Sequence, residues 1–348
     1  MGQDALRQDN LRSPRGPRCI ALVGPFQSGK TSLLEAILAR TGAIPKAGSV
    51  EAGTTIGDSS PEARSHRMSV GMTAATTTFM GDSYTFIDCP GSVEFAHDMR
   101  AALPAVDAAV VVCEADEKKL PQLQIILREL EDLKIPRFLF LNKIDKASKR
   151  IRETLATLQP ASRSPLVLRQ IPIWNGDLIE GFVDLALERA FIYREHKPSE
   201  VIALEGGNLD REKEARFSML EKLADHDDAL MEQLLSDVTP EPKTVFADLV
   251  RETSESLISP VFFGCAAQGF GLRRLLKALR HDTPAPKLAA ARLGLTGPGA
   301  YVMKVSHSGQ AGKLAYARAL NGAITDHSEF TLSDGSRGRA GALFALSG

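Results

Sequence analysis

The chain has 348 residues, 43% hydrophobic and 24% charged, with 42 Lys and Arg against 43 Asp and Glu for a formal net charge of −1. That length suits two or three domains, and the composition excludes a disordered chain, a collagen-like repeat and a small disulfide scaffold. With the charges balanced, no bulk field draws the whole chain onto nucleic acid or membrane, although a local basic face stays open.

Four widely spaced cysteines, Cys19, Cys89, Cys113 and Cys265, form no CxxC pair. They read as reduced thiols of a cytoplasmic protein, with neither a disulfide framework nor a zinc site. The longest apolar runs, such as Ala108 to Cys113, fall far short of the ~20 residues of a spanning helix. Residues 1–17 are polar and lack an apolar core, so they read as a flexible leader. Met1-Gly2 resembles a myristoylation start, but Leu6 stands where Ser or Thr is needed.

In chain order, Cys19 to Val23 reads as a buried strand and Lys30 to Arg40 as the helix after it. Thr76 to Met80 and Tyr84 to Ile87 read as strands joined by a turn at Gly81-Asp82. Val93 to Leu103 reads as a helix, Ala108 to Cys113 as a central strand, Leu120 to Leu133 as a helix and Arg137 to Leu141 as the next strand. The alternation returns only at Pro260 to Gly264, a strand, and Leu272 to Leu279, a helix. This pattern predicts an α/β fold, a mostly parallel sheet with helices on both faces.

The stretch between these units, residues 158–257, changes character: Gly-rich turns give way to the charged, helix-prone Leu209 to Leu235. So long a loop without structure is improbable in a compact domain, and an inserted α+β subdomain is expected. Pro284-Ala-Pro286 reads as a linker. Beyond it, Ala300 to Ser306 and Gly312 to Leu320 alternate like strands, as at the start of a small β-barrel. The expected organisation is therefore a leader over 1–17, a main α/β domain over 18–157 and 258–282, an insert over 158–257, and a truncated β-barrel over 287–348.

The run Gly24, Pro25, Phe26, Gln27, Ser28, Gly29, Lys30, Thr31 fits the phosphate-loop pattern, between a predicted strand and a predicted helix that continues through Ser32. Glycines let backbone N–H groups close around phosphates, and the helix N-terminus adds partial positive charge. Lys30 reaches the β/γ oxygens and the Thr31 hydroxyl can ligate Mg²⁺. The plain alternative is a glycine turn capping a helix. Asp88, Cys89, Pro90 and Gly91 follow a later strand; Asp88 can hold Mg²⁺ through water and the Gly91 amide can bond a γ-phosphate and sense its loss. Alone, this pattern also describes many tight turns. Asn142, Lys143, Ile144 and Asp145 follow another strand. A carboxylate with two acceptor oxygens suits the two donors on one edge of guanine, so Asp145 would favour guanine over adenine. Asn142 would brace the loop and the Lys143 stem would cover the base. Cys265 and Ala266, after the final strand, would offer backbone N–H to the base oxygen. Between the first two motifs, a nucleotide switch needs a hydroxyl that completes Mg²⁺ coordination. Ser69 is the best-placed candidate, ahead of Thr54, Thr55 and Thr73, and an ordinary polar loop is the alternative.

Together these residues resemble the translational GTPases, closest to elongation factor G, from about Arg18 to Gly348. Ile87 to Phe95 resembles the family's switch II, Leu141 to Asp145 its guanine loop, Pro260 to Ala266 the segment closing its G domain, and the insert with Gly181 to Leu185 its G′ subdomain. Ala300 to Ile324 resembles the start of domain II. The resemblance implies a P-loop GTPase that uses GTP/GDP and Mg²⁺ and docks on ribosomal RNA and ribosomal proteins. It implies no membrane or DNA partner, and a monomer is expected. Lys30, Gly91 and Ser92 are the catalytic candidates and Thr31, Ser69 and Asp88 the metal ligands. Two departures stand out. Ser92 occupies the position of the family histidine that orients the attacking water, and Arg67-Met68-Ser69-Val70 stands where the family has Gly-Ile-Thr-Ile. A serine hydroxyl is shorter and carries no positive charge, so weakened hydrolysis is expected, as is a likeness to divergent paralogues. A GTP-dependent occupancy factor with little hydrolysis is the second reading, and a phosphate-loop ATPase or kinase the third.

Other residues carry less. Arg163, Arg169, Arg273, Arg274 and Arg280 could each be a catalytic arginine, but no spacing recommends one. The basic run Lys146 to Arg152 and the acidic run Glu221 to Asp228 read first as solvated helix faces, and Trp174 as ordinary packing.

Overall fold

The computed structural model describes residues 16–57, 71–146, 151–176, 178–193, 199–203, 207–308 and 312–344. The main sheet has seven strands in the order β2-β3-β1-β4-β5-β11-β6. These are β1 (Arg18–Val23), β2 (Thr73–Phe79), β3 (Asp82–Asp88), β4 (Ala108–Cys113), β5 (Arg137–Leu141), β6 (Leu166–Leu168) and β11 (Ser259–Phe263). β2 runs antiparallel to β3, and every other pairing in this sheet is parallel. β1, β4, β5 and β11 are buried at every position, as parallel strands covered on both faces must be.

Helices α1 (Lys30–Thr41) and α8 (Leu272–Asp282) cover one face, setting Leu33, Ile37, Leu275 and Leu279 on Ile20, Leu22, Val110 and Phe140. On the other face lie α2 (Ala96–Ala102) and α3 (Leu120–Asp132), whose Met99, Leu123, Leu127 and Leu130 join a core with Ala21, Val111 and Leu139. The i, i+4, i+7 spacing of the α3 leucines forms the apolar stripe that the sheet buries. From β1 the chain crosses toward β3, and from β4 it crosses toward β5. Those opposite departures open a crevice at the carboxyl ends of β1 and β4, where such sheets bind ligands.

Two local expectations are corrected. The β2–β3 turn is Met80-Gly81, both at positive φ (50° and 84°), because Asp82 already pairs with Phe79. The helix expected over Val93 to Leu103 is three pieces: a 3₁₀ turn at Val93–Phe95, then α2, then a 3₁₀ turn at Leu103–Ala105. Pro104 has no N–H to continue a helix.

The insert holds an antiparallel sheet in the order β10-β9-β8-β7, from β7 (Gln170–Asn175), β8 (Leu178–Asp184), β9 (Arg189–Ile192) and β10 (Glu200–Ile202). Around it come α4 (Ile151–Leu158), α5 (Gly207–Ala224), α6 (Asp228–Leu235) and α7 (Pro242–Ser254). The expected start of the insert at 158 encloses β6, yet β6 pairs with β11 as the last strand of the main sheet. Pro284-Ala-Pro286 leads into helix α9 (Pro286–Arg292) rather than directly into a strand, with Pro286 at the first helical position, where its missing N–H costs nothing. Two hairpins follow: β12 (Gly299–Ser308) with β13 (Gly312–Leu320), and β14 (Glu329–Thr331) with β15 (Arg337–Arg339). No helix among the described residues is long and apolar enough to cross a membrane.

Candidate functional site

The phosphate-loop segment turns from β1 into α1 with its backbone pressed against two neighbours. A Cβ on Gly24 would lie 2.1 Å from the Val112 carbonyl oxygen, and one on Gly29 2.4 Å from Asn142 Nδ2. Glycine is therefore a steric requirement at both positions. Lys30 is only 6% exposed, and its Nζ donates to the carbonyls of Gly24 (3.1 Å) and Pro25 (3.0 Å). Burial pushes its ammonium pKa down, and the nearby Asp88 carboxylate works against that.

Asp88 ends β3, and its Oδ2 accepts a 2.6 Å hydrogen bond from Thr31 Oγ1. Two hard oxygen donors thus meet beside the loop, a set that fits Mg²⁺. Gly91 lies over the same lysine: a Cβ there would stand 2.2 Å from Lys30 Nζ and 3.0 Å from the Pro25 oxygen. Cys89 is pinned between them through its N–H to the Leu22 carbonyl (3.0 Å), and burial raises its thiol pKa. Ser92 is half-buried and opens the 3₁₀ turn without capping it through its side chain.

The third loop is joined to the first through Asn142, which is 3% exposed. Its Nδ2 donates to the Ser28 carbonyl (2.9 Å) while its Oδ1 accepts from the Ala266 N–H (3.0 Å). Lys143 sits at φ 56° and donates to the Gln27 carbonyl (2.7 Å), with Glu114 Oε2 3.1 Å away. Ile144 is buried in the core and Asp145 is exposed, taking a 3.4 Å bond from Gln268 Nε2. Burial, reinforced by a hydrogen bond to Asp145, pushes the Cys265 thiol up to about 11.

Four sequence-predicted loops thus converge at the carboxyl edge of the sheet. Some assignments change. The Cys265 N–H donates to the Phe270 carbonyl (3.1 Å) and the Ala266 N–H to Asn142, so neither amide points at a base here. To meet a base oxygen, the Ala266 amide would have to exchange Asn142 for it. Ser69 lies outside the described residues. Of its alternatives, Thr54 Oγ1 accepts from Ser49 N–H, Thr55 is buried, and Thr73 begins β2. Four of the five arginines weighed as catalytic are held in ion pairs: Arg169, Arg274 and Arg280 with Asp282, Asp184 and Asp82, and Arg163 with Asp132.

Sequence reading passes over Gln122, Glu114 and Glu35. Gln122, in the first turn of α3, accepts the Phe26 N–H at 3.1 Å and donates to the Gly91 carbonyl. Glu114 carries an ion pair with Lys119 besides that with Lys143. Glu35 takes the N–H groups of Gly48 and Ile56, both at 2.7 Å, fastening the loop after α1. For Glu35 the available signal is a polar residue in a helix otherwise patterned for burial; Gln122, one of several polar residues in α3, and Glu114, just past β4, offer none.

Residues 16–285 match the elongation factor Tu GTP binding domain. The chain belongs to that GTPase family. It is 38% identical over 337 residues to an elongation factor G-like protein of Synechocystis sp., an alignment covering 95% of this chain and 49% of the relative. A crystal structure of a protein from Thermus thermophilus superposes with a TM-score of 0.81 at 28% identity, covering 93% of this chain and 48% of that one. The chain therefore spans about half the length of these relatives.

Proposed function

We propose that the chain binds GTP and GDP with Mg²⁺ and hydrolyses GTP slowly, as the switch of a cytoplasmic factor working on the ribosome. The observation that carries this is the convergence of Thr31 with Asp88, of Gly91 with Lys30, and of Asn142 with both the phosphate loop and the 264–268 loop. In this reading the backbone N–H groups of Gly29 to Ser32 and the Lys30 ammonium cradle the phosphates, and charge on the transferring group is stabilised there. Thr31, Asp88 and Ser69 would hold Mg²⁺, which when bound draws charge from the phosphate oxygens. Asp145 reads the guanine edge, and the Gly91 N–H faces the γ-phosphate. Ribosomal RNA and ribosomal proteins as partners, and a cytoplasmic site of action, are supported by the elongation factor G-like resemblance.

Ser92 supports the slow rate, because its short neutral side chain is a poor guide for an attacking water. The same residue favours a second reading, a GTP-bound occupancy factor that leaves by exchange. Two measurements test both. Bound labelled GDP should be displaced by GTP and not by excess ATP; displacement by ATP sinks the guanine assignment. Single-turnover hydrolysis of bound GTP should be slow with or without ribosomes, and Ser92→His should accelerate it by about 10- to 100-fold, the scale of restored positioning. Fast ribosome-stimulated turnover with Ser92 in place refutes impaired positioning, and no gain from histidine counts against the occupancy reading.

A further inference from the structure

We infer that Gln122 is a positioning residue for this nucleotide site: its carboxamide fastens the Gly91–Ser92 peptide to the phosphate loop and fixes where the γ-phosphate-sensing segment stands. The inference rests on the function proposed above. Gln122 follows Pro121 in the first turn of α3 and is half-buried. Its Oε1 accepts the Phe26 N–H at 3.1 Å, and its Nε2 donates to the Gly91 carbonyl. One side chain thus spends its acceptor on the phosphate loop and its donor on the segment after β3.

An amide of this length satisfies both partners at once. A carboxylate accepts from Phe26 but faces the Gly91 carbonyl as a second acceptor, and lysine or arginine donates but cannot accept. The Gly91 carbonyl shares a rigid plane with the Ser92 N–H, so holding the oxygen fixes that plane and leaves only the φ and ψ of Gly91 between it and the N–H that faces the γ-phosphate. Gly91 needs such a hold more than another residue would. It has no side chain to anchor it, Lys30 Nζ and the Gly24 and Pro25 carbonyl oxygens crowd the place where one would start, and glycine is the freest residue of the backbone. Gln122 supplies from α3 the restraint that residue 91 cannot supply for itself.

GDP carries no γ-phosphate, so the Gly91 segment bears on GTP alone, and this separates positioning from general damage to the fold. The affinities of GDP and of a non-hydrolysable GTP analogue should be measured for the unaltered chain, Gln122→Glu and Gln122→Met. Thermal melting and single-turnover GTP hydrolysis accompany them. The preference for triphosphate over diphosphate should fall by up to about tenfold in both variants, the upper end of what one hydrogen bond contributes. GDP affinity should stay within about twofold, and hydrolysis should slow with the lost preference. Gln122→Glu keeps the Phe26 bond, so if it alone retains the wild-type ratio, the Gly91 bond is not the one that matters and the inference fails. An unchanged ratio in both variants, or equal losses for both nucleotides, also overturns it and marks Gln122 as merely structural. If the unaltered chain binds GDP but the ratio never moves, only this inference falls; if it binds neither nucleotide, the proposed function falls with it.

Discussion

The insert and the β12–β13 hairpin are fastened to the same sheet in different ways. At the insert, Arg169 Nη1 lies 2.9 Å from Asp282 Oδ2 and Arg274 Nε 2.5 Å from Asp184 Oδ2. Both guanidinium carbons face the Phe262 ring of β11, at 5.6 and 5.0 Å. Asp184 is held further by the N–H groups of Ala186 and Leu187, both at 3.1 Å. The hairpin joint is graded. At the foot of β4, Arg318 Nη2 lies 2.7 Å from buried Asp107, which also takes the Cys19 N–H (2.8 Å), and Arg292 reaches the Val106 carbonyl. At its other end Lys304 meets Asp98 at 2.8 Å with both side chains about a quarter exposed, and Asp98 also accepts the Met72 N–H (2.9 Å). The lesson is that burial, rather than the number of ion pairs, separates a fixed joint from one that can be released.

The strongest way to break this comparison is at the insert. Arg274→Ala would leave the Asp184 carboxylate buried without its cation, a change expected to cost about 3–5 kcal/mol. Urea denaturation should show this as a lower midpoint with an unchanged slope. A loss below about 1 kcal/mol would place the joint with exposed surface pairs and dissolve the distinction.

Protonation sharpens the contrast at two carboxyls, Glu252 in the insert and Asp98 beside the hairpin, which are shifted in opposite directions. Glu252 of α7 is fully buried beside Arg251, 3.1 Å away, and burial pushes it up to about 8 despite that cation. The native chain therefore binds a proton at pH values where the unfolded chain, with a carboxyl near 4.5, has released it. Stability is expected to fall as pH rises between those values, by up to about 1.4 kcal/mol per pH unit. Glu252→Gln should flatten that slope and raise stability at its alkaline end. A profile equally steep in the variant would assign the slope to other groups.

Much of this arrangement is legible before the fold. The runs Cys19 to Val23, Ala108 to Cys113 and Arg137 to Leu141 announce buried parallel strands, because such strands are apolar at nearly every position. The nucleotide loops are legible because crowding and positive φ together restrict Gly24 and Gly29 to one residue type. What escapes are features that exist only as pairs distant in sequence. Arg274 and Asp184, Lys304 and Asp98, and Gln122 with Gly91 are each unremarkable alone. β6 falls inside the expected insert because three residues are too few to signal which sheet they join. The bulge at Met303 is equally silent, yet it matters: the register shift between Val302 and Lys304 turns Lys304 to the face that meets α2.

The smallest expected effect is at that pair, and it tests the comparison from the hairpin side. Burial alone would raise the Asp98 pKa, but hydrogen bonds from Lys304 and the Met72 N–H outweigh it and hold the carboxyl below its ordinary value. A depressed carboxyl contributes stability above the ordinary carboxylate range and loses it as pH falls through the native value. Lys304→Met should therefore cost no more than about 1 kcal/mol near neutral pH and make the acid-side decline shallower. Asp98→Ala should likewise leave the melting temperature nearly unchanged while the Met72 amide, deprived of its acceptor, exchanges hydrogen faster. If Lys304→Met instead costs as much as Arg274→Ala, the hairpin is fixed at both ends. The residues following 58–70 would then be held by a joint as rigid as that of the insert.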